Sequence, residues 1–223
     1  MKKYFINYFK KSIISFVLIG FNSAQAGLND DFFKAVKMDD AKAVQQLLAR
    51  GFDANTIDQT GQTGLFIALR EPSPKVARLL VDSPKIDLNA LNTQGESPLM
   101  LAALKGQLEL ADQMVKKGAD VNKTDWTPLH YAATTGQLAV IRLLIENHAY
   151  IDAESPNGST PLMLASMYGT PEAVKLLLDE GADPTLKNQQ GLTALQFAQR
   201  ASRPDAEALI TKSIRAKRPP GQW

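Results

Sequence analysis

Apolar and polar positions along this chain follow a pattern that returns every 30 to 34 residues. The segments "TGLFIAL", "SPLMLAALKGQ", "TPLHYAATTGQ", "TPLMLASMYGT" and "TALQFAQRAS" start at Thr63, Ser97, Thr127, Thr160 and Thr193, and their aligned leucines are Leu65, Leu99, Leu129, Leu162 and Leu195. Each is followed by a second apolar stretch: "VARLLV", "LADQMV", "VIRLLI", "AVKLLL" and "AEALI". Within the third copy Val140, Leu143 and Leu144 fall at helical spacing. Each copy therefore predicts two helices. Thr127 or Thr160 suits an N-cap, whose side chain accepts from free N–H groups at a helix start. Pro98, Pro128 and Pro161 fit the first helical position, where no N–H is needed. Alanines such as Ala102, Ala103, Ala132 and Ala133 let paired helices approach, and Gly106, Gly136 and Gly169 are expected to turn the chain between them. Gly118 and Gly181 suit left-handed C-caps. The tetrapeptides "DQTG", "NTQG", "SPNG" and "NQQG" suit tight turns.

The T-P-L-H start, the A-A-x-x-G-Q join and the L-L-x-x-G-A-D-x-N exit, in register over five copies, resemble the ankyrin repeat family. The resemblance runs from Leu28 to about Ile214 and includes a degenerate earlier copy from Asp31 to Asn55. It implies an all-α fold, a solenoid of stacked helix pairs joined by β-hairpin loops. No repeat buries its own apolar face, so neighbours must stack. The resulting expectation is an N-terminal capping repeat over 27–57, four repeats over 58–187, a C-terminal capping repeat over 188–214 and a basic tail over 215–223.

Several features break the pattern. His130 occupies a slot filled elsewhere by Phe66, Met100, Met163 and Gln196. Such a slot reads as loop bracing rather than proton transfer, because a general base needs a partner and a pocket. The repeat that carries His130 is short: five positions separate Asn122 from Thr127, where other copies have eight. The shortened tip reads either as a neutral deletion or as a notch in the row of tips. Elsewhere, "DSPKIDLN" carries one extra residue and a proline at its turn, and His148 stands where other copies have glycine, as a mildly costly left-handed cap.

The resemblance also implies an interaction scaffold that binds a protein through hairpin tips and the exposed face of each first helix. Transferred to this sequence, the partner-binding positions are Leu104, Lys105, Trp126, Thr134, Thr135, Asn157, Met167 and Tyr168. Four of these, Leu104, Trp126, Met167 and Tyr168, are large and apolar at positions expected to face solvent, and clustered exposed apolar groups mark binding surfaces. For Trp126 a second reading stays open: it folds over the shortened loop and only packs.

Composition narrows the function further. The chain is 44% hydrophobic and 22% charged, which fits a packed protein rather than a disordered one. Its net charge of +2 is misleading. Lys2, Lys3, Lys10 and Lys11 precede the apolar run "IISFVLIGF" and the small-residue exit "NSAQAG", the layout of a secretory signal peptide cleaved after Ala26. The remaining chain has 21 basic and 23 acidic residues, which is no nucleic-acid footprint. The expected location is periplasmic or secreted, without stable membrane insertion after cleavage, and the expected state is a monomer. There is no cysteine, hence no disulfide, thiolate metal site or cysteine nucleophile. The phosphate-loop, dinucleotide, zinc-protease and serine-hydrolase signatures are missing too. No cofactor and no catalytic residue are expected. The competing reading is an enzyme or small-ligand protein with an unfamiliar site.

Overall fold

The computed structural model describes residues 27–216. The predicted signal peptide and the last part of the basic tail lie outside them. Twelve helices make up the described residues: α1 (27–37), α2 (Ala41–Ala49), α3 (Gly64–Arg70), α4 (Pro74–Asp82), α5 (Pro98–Lys105), α6 (Leu108–Lys116), α7 (Pro128–Thr135), α8 (Leu138–Glu146), α9 (Pro161–Tyr168), α10 (Pro171–Asp179), α11 (Ala194–Arg200) and α12 (Pro204–Ala216). The fold is all-α. Among the described residues the only β pairing is an isolated bridge between Ile57 and Thr63. The chain forms two compact units that part between Ile86 and Asp87.

The first unit holds α1 to α4. Its core is built on Phe32, Val36, Val44, Leu65, Phe66, Leu69, Val76 and Leu80, all buried. Phe32 meets Phe52 at a ring-centroid distance of 4.6 Å. At the first helical position of α3 this copy has Gly64 instead of proline, because a Cβ there would lie 2.6 Å from the Phe32 ring. Asp39 adopts φ 54° and its carboxylate accepts from Val76 N at 2.9 Å, which ties the α1–α2 turn to the start of α4.

The second unit is a solenoid. Helices α5, α7, α9 and α11 pack side by side in one layer, and α6, α8, α10 and α12 pack behind them. Thr127 and Thr160 cap α7 and α9 as expected, and Ser97 and Thr193 do the same for α5 and α11: each accepts from the backbone N–H three residues on. Leu99, Leu129 and Leu162 are fully buried between layers, worth about 1.5–3 kcal/mol each. Leu195 is only half-buried, since α11 packs against α9 and α12. In α8 the buried residues are Val140, Ile141 and Leu144, while Leu143 is half-buried on the flank of the stripe. α12 runs on to Ala216, two residues past the expected end of the cap.

The glycines divide into two kinds. Gly106 and Gly136 do adopt the left-handed conformation that closes α5 and α7. Gly169 does not: at φ −77° it is extended, against the turn role expected for it. It is glycine for want of space, because a Cβ would sit 2.4 Å from the carbonyl oxygen of Ala133 in the neighbouring repeat.

A ladder of side-chain amides joins the loops. Asn89 donates to Gly118 O at 3.3 Å and accepts from Asp120 N at 2.8 Å. Asn122 repeats this with His148 O and Tyr150 N, both at 2.8 Å. In the next repeat Asp152 takes the same place and accepts from Asp183 N at 3.1 Å.

Candidate functional site

The site begins with His130 on the first turn of α7. It is fully buried. Its Nδ1 lies 3.2 Å from Thr127 N and 2.9 Å from Thr127 Oγ1. Its Nε2 lies 2.9 Å from the carbonyl oxygen of Ser159, in the loop before α9. Nδ1 therefore accepts from the N–H of its own cap, and Nε2–H donates to the next repeat. Burial, set against the bond to Ser159, pushes its pKa down to about 4. The ring is neutral near pH 7, with both nitrogens engaged, so it can hold two repeats together but has no lone pair left for proton transfer. Three other copies fill the same acceptor role differently, while Phe66 in the first has no acceptor to offer. Met100 and Met163 place sulfur 3.2 and 3.4 Å from the N–H of Ser97 and Thr160, and Gln196 Oε1 takes the N–H of Thr193 at 2.8 Å.

The shortened hairpin ahead of α7 sets the next wall. With three residues fewer, the tip closes through Asp125 at φ 69°, a conformation costly for a residue with a Cβ. Trp126 follows at once. It is half-buried, and its ring stands edge-on to His130 with centroids 5.4 Å apart and planes at 78°. Packing on His130 and partial exposure thus coexist in this side chain.

Between Trp126 and the C-terminal turns of the first helices lies a concavity of about 230 Å³. Leu104 of α5 forms one side, Tyr131 and Thr134 of α7 the base beside His130, and Leu164 and Tyr168 of α9 the far side. Tyr168 is 59% exposed and Leu164 only 8%, so of this pair the aromatic residue is the one that reaches solvent. Tyr131 is anchored by its hydroxyl, which donates to Glu96 Oε1 at 3.0 Å. Glu96 is held in turn by Asn92 Nδ2 at 2.7 Å. Burial, with the neighbouring Glu96 carboxylate, pushes the Tyr131 phenol above its usual value and keeps it protonated. Thr134 donates to His130 O at 2.7 Å.

Of the eight positions expected to bind a partner, Leu104, Trp126, Thr134 and Tyr168 line this concavity. Lys105 and Thr135 are exposed beside it, and the Thr135 hydroxyl donates to Leu104 O at 3.0 Å across the α5–α7 seam. Asn157 is exposed at the tip of the following hairpin. Met167 is half-buried and does not line the concavity; its carbonyl oxygen accepts from Arg203 at 3.3 Å. Tyr131 and Leu164 were missing from the expected set. They share a column with Ile67, Leu101 and Phe197 that is large and apolar in every copy, so it reads as core. The signal that could have singled it out is the hydroxyl of Tyr131, unmatched in that column.

A second concavity, of about 430 Å³, lies in the first unit, with Asp30, Lys37, Asp58 and Gln59 around Phe33 and Ile57. It is larger but far more polar. Among the described residues no group of three or more His, Cys, Asp or Glu could hold a metal ion. No described helix is long and apolar enough to cross a membrane.

The family model for ankyrin repeats (3 copies) matches residues 32–125, 85–157 and 129–218. Ankyrin repeat and SAM domain-containing protein 6 of Rattus norvegicus is 32% identical over 109 residues, which is 47% of this chain and 12% of that protein. Putative palmitoyltransferase ZDHHC13 of Danio rerio is 35% identical over 133 residues, 56% of this chain and 20% of that protein. The chain thus spans only a small part of these curated relatives. Solved structures match over much more of their length. An ankyrin repeat domain from Acinetobacter baumannii is 28% identical, with a TM-score of 0.72 over 82% of this chain and 97% of its own. A chain in the structure of a predatory endopeptidase from Bdellovibrio bacteriovorus in complex with an immunity protein is 30% identical, with a TM-score of 0.71 and the same two coverages. With its repeats matched from residue 32 to residue 218, the chain belongs to the ankyrin repeat family.

Proposed function

We propose that this protein is an exported ankyrin-repeat scaffold that binds a protein partner through its first-helix face and hairpin tips. The observation that carries this reading is the concavity walled by Leu104, Trp126, Tyr131 and Tyr168. Aromatic side chains supply much of the binding energy at interfaces, above all where they surround a pocket that an apolar anchor can fill. Here they come from adjacent repeats whose register is fixed by His130 and the loop ladder. The face is preformed, so little ordering entropy opposes binding. A non-catalytic role fits His130, both of whose nitrogens are hydrogen-bonded.

Export rests on the charged start, the apolar run and the Ala-x-Ala exit ahead of Gly27. We place the mature protein in the periplasm or outside the cell, as a monomer that serves as a cell-envelope accessory, stress-defence or toxin-immunity factor. Among these the immunity role draws support from the similarity to a chain of an endopeptidase–immunity protein complex. N-terminal sequencing of the protein recovered from its host tests export. A chain starting at Gly27 is the expected result, and one starting at Met1 contradicts it.

A further inference from the structure

Asn157–Gly158 is the only Asn-Gly dipeptide in the sequence. It sits at the tip of the hairpin before α9, with the Asn157 side chain exposed. Asn157 Oδ1 accepts from the Ser155 hydroxyl at 2.7 Å and from Ser159 N at 3.1 Å. Gly158 adopts φ 73°, and a Cβ there would come within 3.2 Å of Gln189 N, so the tip requires glycine after the asparagine. From this geometry we infer that Asn157 is a site of spontaneous deamidation in the folded protein.

The chemistry needs only water. The backbone nitrogen of Gly158 gives up its proton and attacks Cγ of Asn157. A C–N bond forms, the bond to the side-chain nitrogen breaks, and that nitrogen leaves as ammonia with the proton. Water then opens the five-membered succinimide at either carbonyl, giving aspartate or isoaspartate. Two donors already point at Oδ1, where negative charge gathers as the nitrogen adds, in the manner of an oxyanion hole. Glycine leaves the attacking nitrogen without a neighbouring side chain. The step that sets the pace is release of the Gly158 N–H, which donates to Ser155 O at 2.7 Å.

Two other asparagines serve as internal controls. Asn92 Oδ1 accepts from Gln94 N and Glu96 N, both at 2.9 Å, and Asn188 Oδ1 from Gln190 N and Leu192 N, both at 3.0 Å. Both have the polarised carbonyl, but they are followed by Thr93 and Gln189. The consequence of conversion is local and specific. Asn157 O accepts from Gln189 N at 3.0 Å, and Pro156 O accepts from Gln189 Nε2 at 2.8 Å, so this tip holds the next one. Isoaspartate lengthens the backbone between residues 157 and 158, adds a negative charge, and breaks that link.

The test is to incubate the full chain at mildly alkaline pH, native and in urea, and to map its peptides with time. The expected result is aspartate and isoaspartate at position 157 in the native sample, slower than in urea, with none at Asn92 or Asn188. The aged wild type should melt several degrees lower, while Asn157→Gln aged alongside should not change. Conversion in urea with none in the native chain would overturn the inference. So would equal conversion at Asn92 and Asn188, which needs no variant to detect.

Discussion

His130 joins its own N-cap to the loop of the next repeat, and the burial of its neutral ring makes that link sensitive to acid. Its folded pKa of about 4 lies below the unfolded value of about 6.5. Proton uptake therefore favours the unfolded chain. The stabilisation is complete above pH 6.5, falls as pH drops towards 4, and loses at most about 3 kcal/mol in that window. His130→Gln keeps an acceptor for Thr127 N, as Gln196 does in the last repeat, and has nothing to titrate. Urea melts across pH 4 to 7 should show a steep loss for the wild type and a shallower one for the variant; parallel curves would assign the acid loss elsewhere. His148 is a different case. It is exposed at φ 65°, where a Cβ is strained. His148→Gly should raise stability by about 0.5–1 kcal/mol, read as a higher melting temperature. A fall would reveal an imidazole contact that matters.

At the scale of the element, the loop ladder has one rung of different chemistry. Asn89 and Asn122 each donate and accept, but Asp152 can only accept. Asp152→Asn should add a donor towards the turn at Gly181, as Asn122 has towards His148, and raise the unfolding free energy by about 0.5–1.5 kcal/mol. An unchanged urea midpoint would show that the turn is already satisfied. The first helices α3, α5, α7 and α9 were legible because each carries its own local signal: a Ser or Thr cap, a proline or glycine behind it, and an apolar run that follows. Gly169 was misread because it looks like Gly106 and Gly136 in sequence, whereas its reason lies in a carbonyl of the preceding repeat. Such a distance across repeats leaves no trace in the local pattern.

At the scale of the whole molecule, stacking creates the site. The all-α repeat fold follows from five copies in register, but the concavity depends on how three copies differ. Leu104 and Thr134 share one column of the alignment and both line the concavity, but in α9 that column holds Met167 and not Tyr168. Tyr131 and Leu164 could not be placed from the alignment, because their column is large and apolar in every copy and Ile67 and Leu101, which share it, are buried. Met167 could not be separated from Tyr168 by spacing, because only the packed helix decides which of two neighbours faces the concavity. We propose that this concavity is where a protein partner binds. It is tested most directly by capture from cell-envelope extract, using the mature chain beside the Trp126→Ala, Tyr168→Ala double variant, with circular dichroism confirming that both are folded. A partner retained by the wild type and lost by the folded variant is the predicted result; a partner retained equally by both would contradict it.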